Sequence, residues 1–267
     1  MHILLTLLIL SLTVLVHEYG HYLLMLRNGV RVVEFTIGFG PTLWSKTLKS
    51  GTVFKLKPIL LGGYTLPVME GEGALTAASP WAQFKISMAG MFFNAIAAFV
   101  AFTIVFYANG TYLAVTEPYL LALHVPHALA PLFAAFLASF GLWLATPVLL
   151  VQLLWGGIAT FFSSMSGPIG IVSIGSSVIT ASPDPLSIVM NALFFFGIIN
   201  VGLAGFNLLP ILPLDGGRVF VLLIDKVFGR FAPRITKVYQ FVSLVCFALL
   251  IISVFANDIL TLVRGHH

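Results

Sequence analysis

His17 and His21 lie four positions apart, with Glu18 directly after the first of them. On a helix, side chains four apart sit about one turn above each other, their β-carbons roughly 5 to 6 Å apart, so two imidazoles can point at one ion. Glu18 falls on the adjoining edge of that face, where it can take a proton from water at the metal instead of binding the metal itself. Neutral imidazole with carboxylate suits zinc, and a catalytic zinc takes three protein ligands with a fourth position left for water. A third ligand must therefore come from elsewhere. Of the nine Asp and Glu residues, only Asp215 combines the end of an apolar run, the basic side of the chain and a flanking Gly216-Gly217 that permits close backbone approach. Glu117 and Asp184 fall in the opposite region, and Asp225 and Asp258 read as solvated carboxylates. His124 and His127 read as scattered polar residues, with Pro126 between them.

The elements that must carry these groups are set by composition. The 267 residues are 59% hydrophobic and 8% charged, with a mean hydropathy of +1.06, which describes a polytopic membrane protein. An ionisable side chain in a spanning helix costs about 2.5 to 3.5 kcal/mol on insertion scales and needs a partner. The bland reading of the histidine pair as solvated surface is therefore weak. Cys246 lies in an apolar run and, as the single cysteine, has no partner within the chain.

Apolar runs of about 20 residues suffice to cross the hydrocarbon, and the pattern predicts four core spans at 3–26, 84–107, 187–209 and 235–256, the first carrying His17, Glu18 and His21. Residues 31–73 change to short β-prone runs with turn residues, predicting a β-hairpin beside the membrane. Residues 119–165 are apolar but broken by Pro147 and Gly156-Gly157, predicting an extra helical segment that is a hairpin or re-entrant. Residues 219–228 suggest a short interfacial helix.

Lysine and arginine placement orients the whole. Seven of the 13 lie before or at the very start of the second span, five lie between the last two spans, and residues 86–217 contain none. These charges are read as orientation signals rather than a nucleic-acid surface. With both basic connections cytoplasmic, residues 119–165 cross an even number of times, both termini face outward, and the chemistry lies toward the cytoplasmic side.

The stretch His17-Glu18-Tyr19-Gly20-His21, taken with Asn207-Leu208-Leu209-Pro210-Ile211-Leu212-Pro213-Leu214-Asp215-Gly216, resembles the paired HExxH and NxxPxxxLDG signatures of the site-2 proteases. Phe35 to Pro41, Gly62-Gly63-Tyr64, Ala89-Gly90 with Asn94, and Ser166-Gly167-Pro168-Ile169 extend the likeness to the bacterial regulated-intramembrane-proteolysis branch over nearly the whole chain. The resemblance implies an intramembrane zinc metalloprotease of the bacterial inner membrane, with His17, His21 and Asp215 on zinc and Glu18 as general base. It also implies that Asn207 helps hold the substrate peptide or its developing oxyanion. A β-loop, here with Gly62, Gly63 and Tyr64, would pair with an unwound substrate segment. The substrates implied are single-span membrane proteins, cut during regulated proteolysis or clearance of signal-peptide remnants. Two departures stand out: residues 108–130 are too few for the branch's usual PDZ domain, and its A-G-P reads Ala89-Gly90-Met91.

Two other functions compete. A catalytically silent relative could bind membrane proteins with the same fold, although Glu18 is intact. A zinc or proton transporter could use ionisable groups at membrane depth, but it would place more carboxylates along the spans than occur here.

Overall fold

A backbone dissolved in lipid must satisfy its own hydrogen bonds, so long apolar runs become helices. The computed structural model describes residues 2–109, 121–141, 143–145, 148, 167–181 and 184–264. Among these, helix α1 is His2–Arg27, followed by strands β1 (Val32–Phe39), β2 (Trp44–Thr47), β3 (Val53–Leu56) and β4 (Ile59–Pro67). Helices α2 (Pro80–Asn109), α3 (Ala130–Phe136), α4 (Pro168–Ile179), α5 (Pro185–Asn207), α6 (Asp215–Phe228) and α7 (Ala232–Arg264) complete the described chain. Among the described residues, four helical stretches are long and apolar enough to cross a membrane: Ile3–Arg27, Pro80–Asn109, Pro185–Asn207 and Asp215–Thr261, the last taking in α6 and most of α7. Residues 110–120 and most of 146–166 lie outside the described residues, and with them much of the segment expected at 119–165.

The core is built around α2, which packs against α1, α3, α5 and α6. Its buried face is made largely of small residues, Ala82, Ala89, Gly90, Ala95, Ala98 and Ala101, with Phe102 filling the gap beside them. Small residues let membrane helices approach closely where lipid removes the usual hydrophobic drive for association. Ala130, Ala134 and Ala138 of the α3 region meet Ala98 and Phe102 in this way. α5 starts at Pro185 behind Asp184, whose side chain accepts the Ser187 N–H at 2.9 Å, an N-cap that stops the helix from fraying.

The expected hairpin is a four-stranded sheet in the order β2-β3-β1-β4. A hairpin over residues 31–73 would hold two antiparallel strands. In the structure β2 intervenes and reverses the chain, so β3 returns parallel to β1 (Phe35 opposite Phe54) while β2 pairs antiparallel with β3. β4 lies antiparallel along the other side of β1, with Tyr64 opposite Thr36, and packs against α1. The sheet is fixed to α1 by Tyr22 stacked on Phe35, ring centroids 5.2 Å apart, and by the Thr65 hydroxyl donating to the Glu18 carbonyl at 3.2 Å.

The short helix α4 falls in residues to which the sequence pattern assigned no element. At 12 residues it spans about 18 Å, less than the roughly 30 Å hydrocarbon. Its N-terminus is held by Asp258 of α7, which accepts N–H groups from Gly167 and Ile169, both at 2.9 Å. Asp258 is buried, not solvated as its sequence surroundings suggested, because a helix 89 residues away supplies the donors.

Candidate metal centre

The helical spacing on α1 turns His17 and His21 toward the same side, and both are buried. The chain leaves α5 at Asn207 and turns back through a proline-rich loop to start α6 at Asp215. Gly216 and Gly217 make that return possible: a β-carbon on Gly217 would stand 2.6 Å from backbone atoms of Ile211 and Leu212, and one on Gly216 would overlap the carbonyls of Leu208 and Leu209. The result is a triangle of ligand atoms. His17 Nε2 and His21 Nε2 each lie 3.0 Å from Asp215 Oδ2 and 3.1 Å from one another. Among the described residues this is the one group of three or more His, Cys, Asp or Glu side chains so arranged; His124 and His127 form no such group.

The protonation of this triangle tests whether a metal fits. His21 Nδ1 is 2.8 Å from the Ile86 carbonyl, which can only accept, so Nδ1 carries the proton. In the neutral ring Nε2 is then a lone pair aimed at a carboxylate oxygen. Two lone pairs facing each other at 3.0 Å repel, and a cation between them removes the conflict. Second-atom hydrogen bonding of this kind is what orients metal-bound histidines. Ligand atoms about 2.0 to 2.2 Å from a tetrahedral zinc would be roughly 3.3 Å apart, close to the separations seen. Gly90 clears the space, because a β-carbon there would fall 2.5 Å from His21 Nε2 and 2.7 Å from His17 Nε2. The donor set fits zinc.

A cavity of about 190 Å³ opens onto the triangle, lined by His17, Glu18, His21, Tyr64, Thr65, Asn207, Asp215 and Arg218 among others. A larger groove of about 530 Å³ between α6 and α7 is almost wholly apolar and has no cluster of reactive groups. The cavity thus gathers His17, Glu18, His21, Asp215, Asn207 and Tyr64 from four separate elements. Gly63 sits just behind Glu18, its hypothetical β-carbon 3.7 Å from Glu18 Cγ and 2.6 Å from the Thr36 carbonyl. Gly62 faces the Phe39 ring instead. The Tyr64 hydroxyl donates to Glu34 at 2.6 Å and accepts from Lys57 at 3.2 Å, so it is committed within the sheet.

Three contributors escaped the sequence reading. Arg218 lies one helical turn after Asp215, a spacing that could have drawn attention to it. Thr65 and the Ile86 carbonyl gave no sequence signal, since any residue type supplies a carbonyl and β4 register is a long-range property.

Known proteins are similar to this chain in sequence. A stretch of 97 residues is 42% identical to a protein of Xylella fastidiosa named as a candidate zinc metalloprotease, covering 32% of this chain and 22% of that protein. A stretch of 126 residues is 36% identical to a protein of Agrobacterium fabrum named in the same terms, covering 40% and 33%. A third, of 55 residues, is 49% identical to the regulator of sigma-E protease RseP of Escherichia coli, covering 21% and 12%. The matched stretches thus span a third or less of each relative's own length. The sequence profile of peptidase family M50, in contrast, matches residues 5–253, which reach into each of the four apolar helical stretches and include His17, His21 and Asp215. By that match the chain belongs to peptidase family M50.

Proposed function

We propose that the protein hydrolyses peptide bonds within or beside the transmembrane segment of single-span membrane proteins. The observation that carries this reading is the convergence of His17, His21 and Asp215 from two distant parts of the chain beside an intact Glu18 in one polar cavity. A zinc ion held by the three ligands would polarise the peptide carbonyl and make water acidic enough to attack near neutral pH.

Glu18 is adjacent in sequence to a ligand and lines the cavity without joining the triangle. Its carboxylate takes a proton from the attacking water and passes it to the amine nitrogen as the C–N bond breaks. Asn207 holds its own Leu203 carbonyl through Nδ2 at 3.0 Å, which leaves its amide oxygen and second N–H for a peptide in the cavity. A helical substrate hides its amides in internal hydrogen bonds, so it must unwind before it can be cut. β4 is an edge strand of the sheet, and an edge at Gly62, Gly63 and Tyr64 recaptures freed amides by strand addition. We place the site near the cytoplasmic side of a bacterial inner membrane, with both termini outside, and read residues 119–165 as crossing an even number of times or dipping into the membrane.

The test is cleavage of a tagged single-span substrate by the purified protein in detergent or vesicles. Glu18→Gln and chelator treatment should each abolish cleavage, and Glu18→Gln should keep its zinc. Cleavage that survives Glu18→Gln would sink the mechanism. Zinc uptake into sealed vesicles without cleavage would favour a transporter, and tight substrate capture without cleavage a silent relative.

A further inference from the structure

Asn94 is fully buried on α2, one turn beyond Gly90, and its amide oxygen has no hydrogen-bond partner among the described residues. Its Nδ2 lies 3.4 Å from His17 Nδ1, the ring nitrogen opposite the one in the ligand triangle. An unpaired amide oxygen in a buried site costs free energy, about 1 to 3 kcal/mol in protein cores. Asparagine oxygen and nitrogen differ little in shape, and their assignment follows from the surrounding network. Turned one way, Asn94 donates to His17 Nδ1, which leaves the ring proton on Nε2. Turned the other way, its oxygen accepts from Nδ1–H, and Nε2 becomes a free lone pair.

Only the second arrangement lets His17 bind a cation through Nε2; it exchanges an unpaired oxygen for an unpaired NH2, so the cation, and not the amide's own pairing, selects it. His21 already has the equivalent support from the Ile86 carbonyl. We infer that Asn94 is the positioning residue for His17: its amide oxygen holds the Nδ1–H tautomer and thereby tunes zinc affinity. This rests on the metal reading given above. A residue with this role is expected to alter metal binding by about 10- to 100-fold when removed, without carrying the fold.

The test is zinc affinity, measured by competition with a chelating dye on the detergent-purified full chain, alongside unfolding in excess chelator. Asn94→Leu, of similar size, should weaken zinc about 10- to 100-fold while unfolding in chelator stays unchanged. Asn94→Asp, which can only accept, should hold zinc at least as tightly as the parent. Should Asn94→Leu fail to fold, Asn94→Ala and Asn94→Asp still give the comparison. Equal affinity in the parent and the Leu or Ala variants would overturn the inference. So would unchanged affinity with weakened stability in chelator, the mark of a merely structural amide. A folded parent that binds no zinc would overturn the metal reading and this inference together.

Discussion

His21 shows how tightly the chemistry is specified by single atoms, since one backbone carbonyl sets which of its nitrogens is free. Gly90 is the complementary case: it matters for what it lacks. A β-carbon there would overlap both imidazoles, 2.5 Å from His21 Nε2 and 2.7 Å from His17 Nε2, so Gly90→Ala should push the histidines apart, lower zinc affinity by at least about 100-fold and abolish cleavage with it. α2 should remain folded, because alanine is the best helix former. Metal content of the purified variant checks this directly; a Gly90→Ala protein with full zinc would show that the imidazoles have room to move. His17, Glu18, His21 and Asp215 were legible because their spacing and their cost in lipid mark them out. Asn94's contact with His17 was not legible, because it depends on how two helices are rotated against each other.

At the scale of elements, the sheet is held on one face by Glu34. Its carboxylate accepts from Thr36 at 2.6 Å and from Tyr64 at 2.6 Å, and it pairs with Lys55, tying β3, β1 and β4 together. Burial pushes the Glu34 pKa up, but the Lys55 ammonium and the two hydroxyl donors outweigh it and bring it from 4.5 to about 2. The folded value is below the unfolded one, so the stabilisation is fully present above about 4.5 and is lost as pH falls toward 2. Acidification through that window should loosen the sheet reversibly, and Glu34→Gln should flatten the response. Fluorescence of Trp44, which packs on Phe54, reports it in a variant lacking the other tryptophans. A profile identical in Glu34→Gln would assign the change elsewhere. Hydropathy located the long helices, although α7 runs on to Arg264, past the end expected at 256, and α4 was not foreseen; strand order could not be read, because it depends on β2, a four-residue strand whose pairing is decided by β3. Asp258 failed for the same reason, its partners lying far away in sequence on α4.

Across the whole molecule, the distribution of positive charge and the position of the triangle argue for one orientation. α1 ends at Arg27 and leads into a sheet carrying Lys46, Lys49, Lys55 and Lys57. α5 ends at Asn207, and the loop beyond it leads into α6 and the start of α7 with Arg218, Lys226, Arg230, Arg234 and Lys237. On the orientation we propose, the beginning of α2, the end of α1, the end of α5 and the beginning of α7 lie on one side, and the basic residues would make that side cytoplasmic. His21 is six residues before Arg27, about 9 Å along the helix, and Asp215 follows α5 closely, so the triangle lies nearer this side than the other. The same proposal puts the turn before α5, with Asp184 as its cap, on the outer side, in a stretch free of lysine and arginine. A cysteine placed at Lys49 or Lys226 should react with a membrane-impermeant reagent only after the inner face is exposed. One placed at Asp184 should react from outside in intact cells. Labelling of position 49 from outside would invert the orientation, and labelling of 49 and 226 from opposite sides would mean that the region between α2 and α5 crosses an odd number of times. In that event α6 could not bring Asp215 to the cytoplasmic end of α1, so the topology and the ligand triangle stand or fall together.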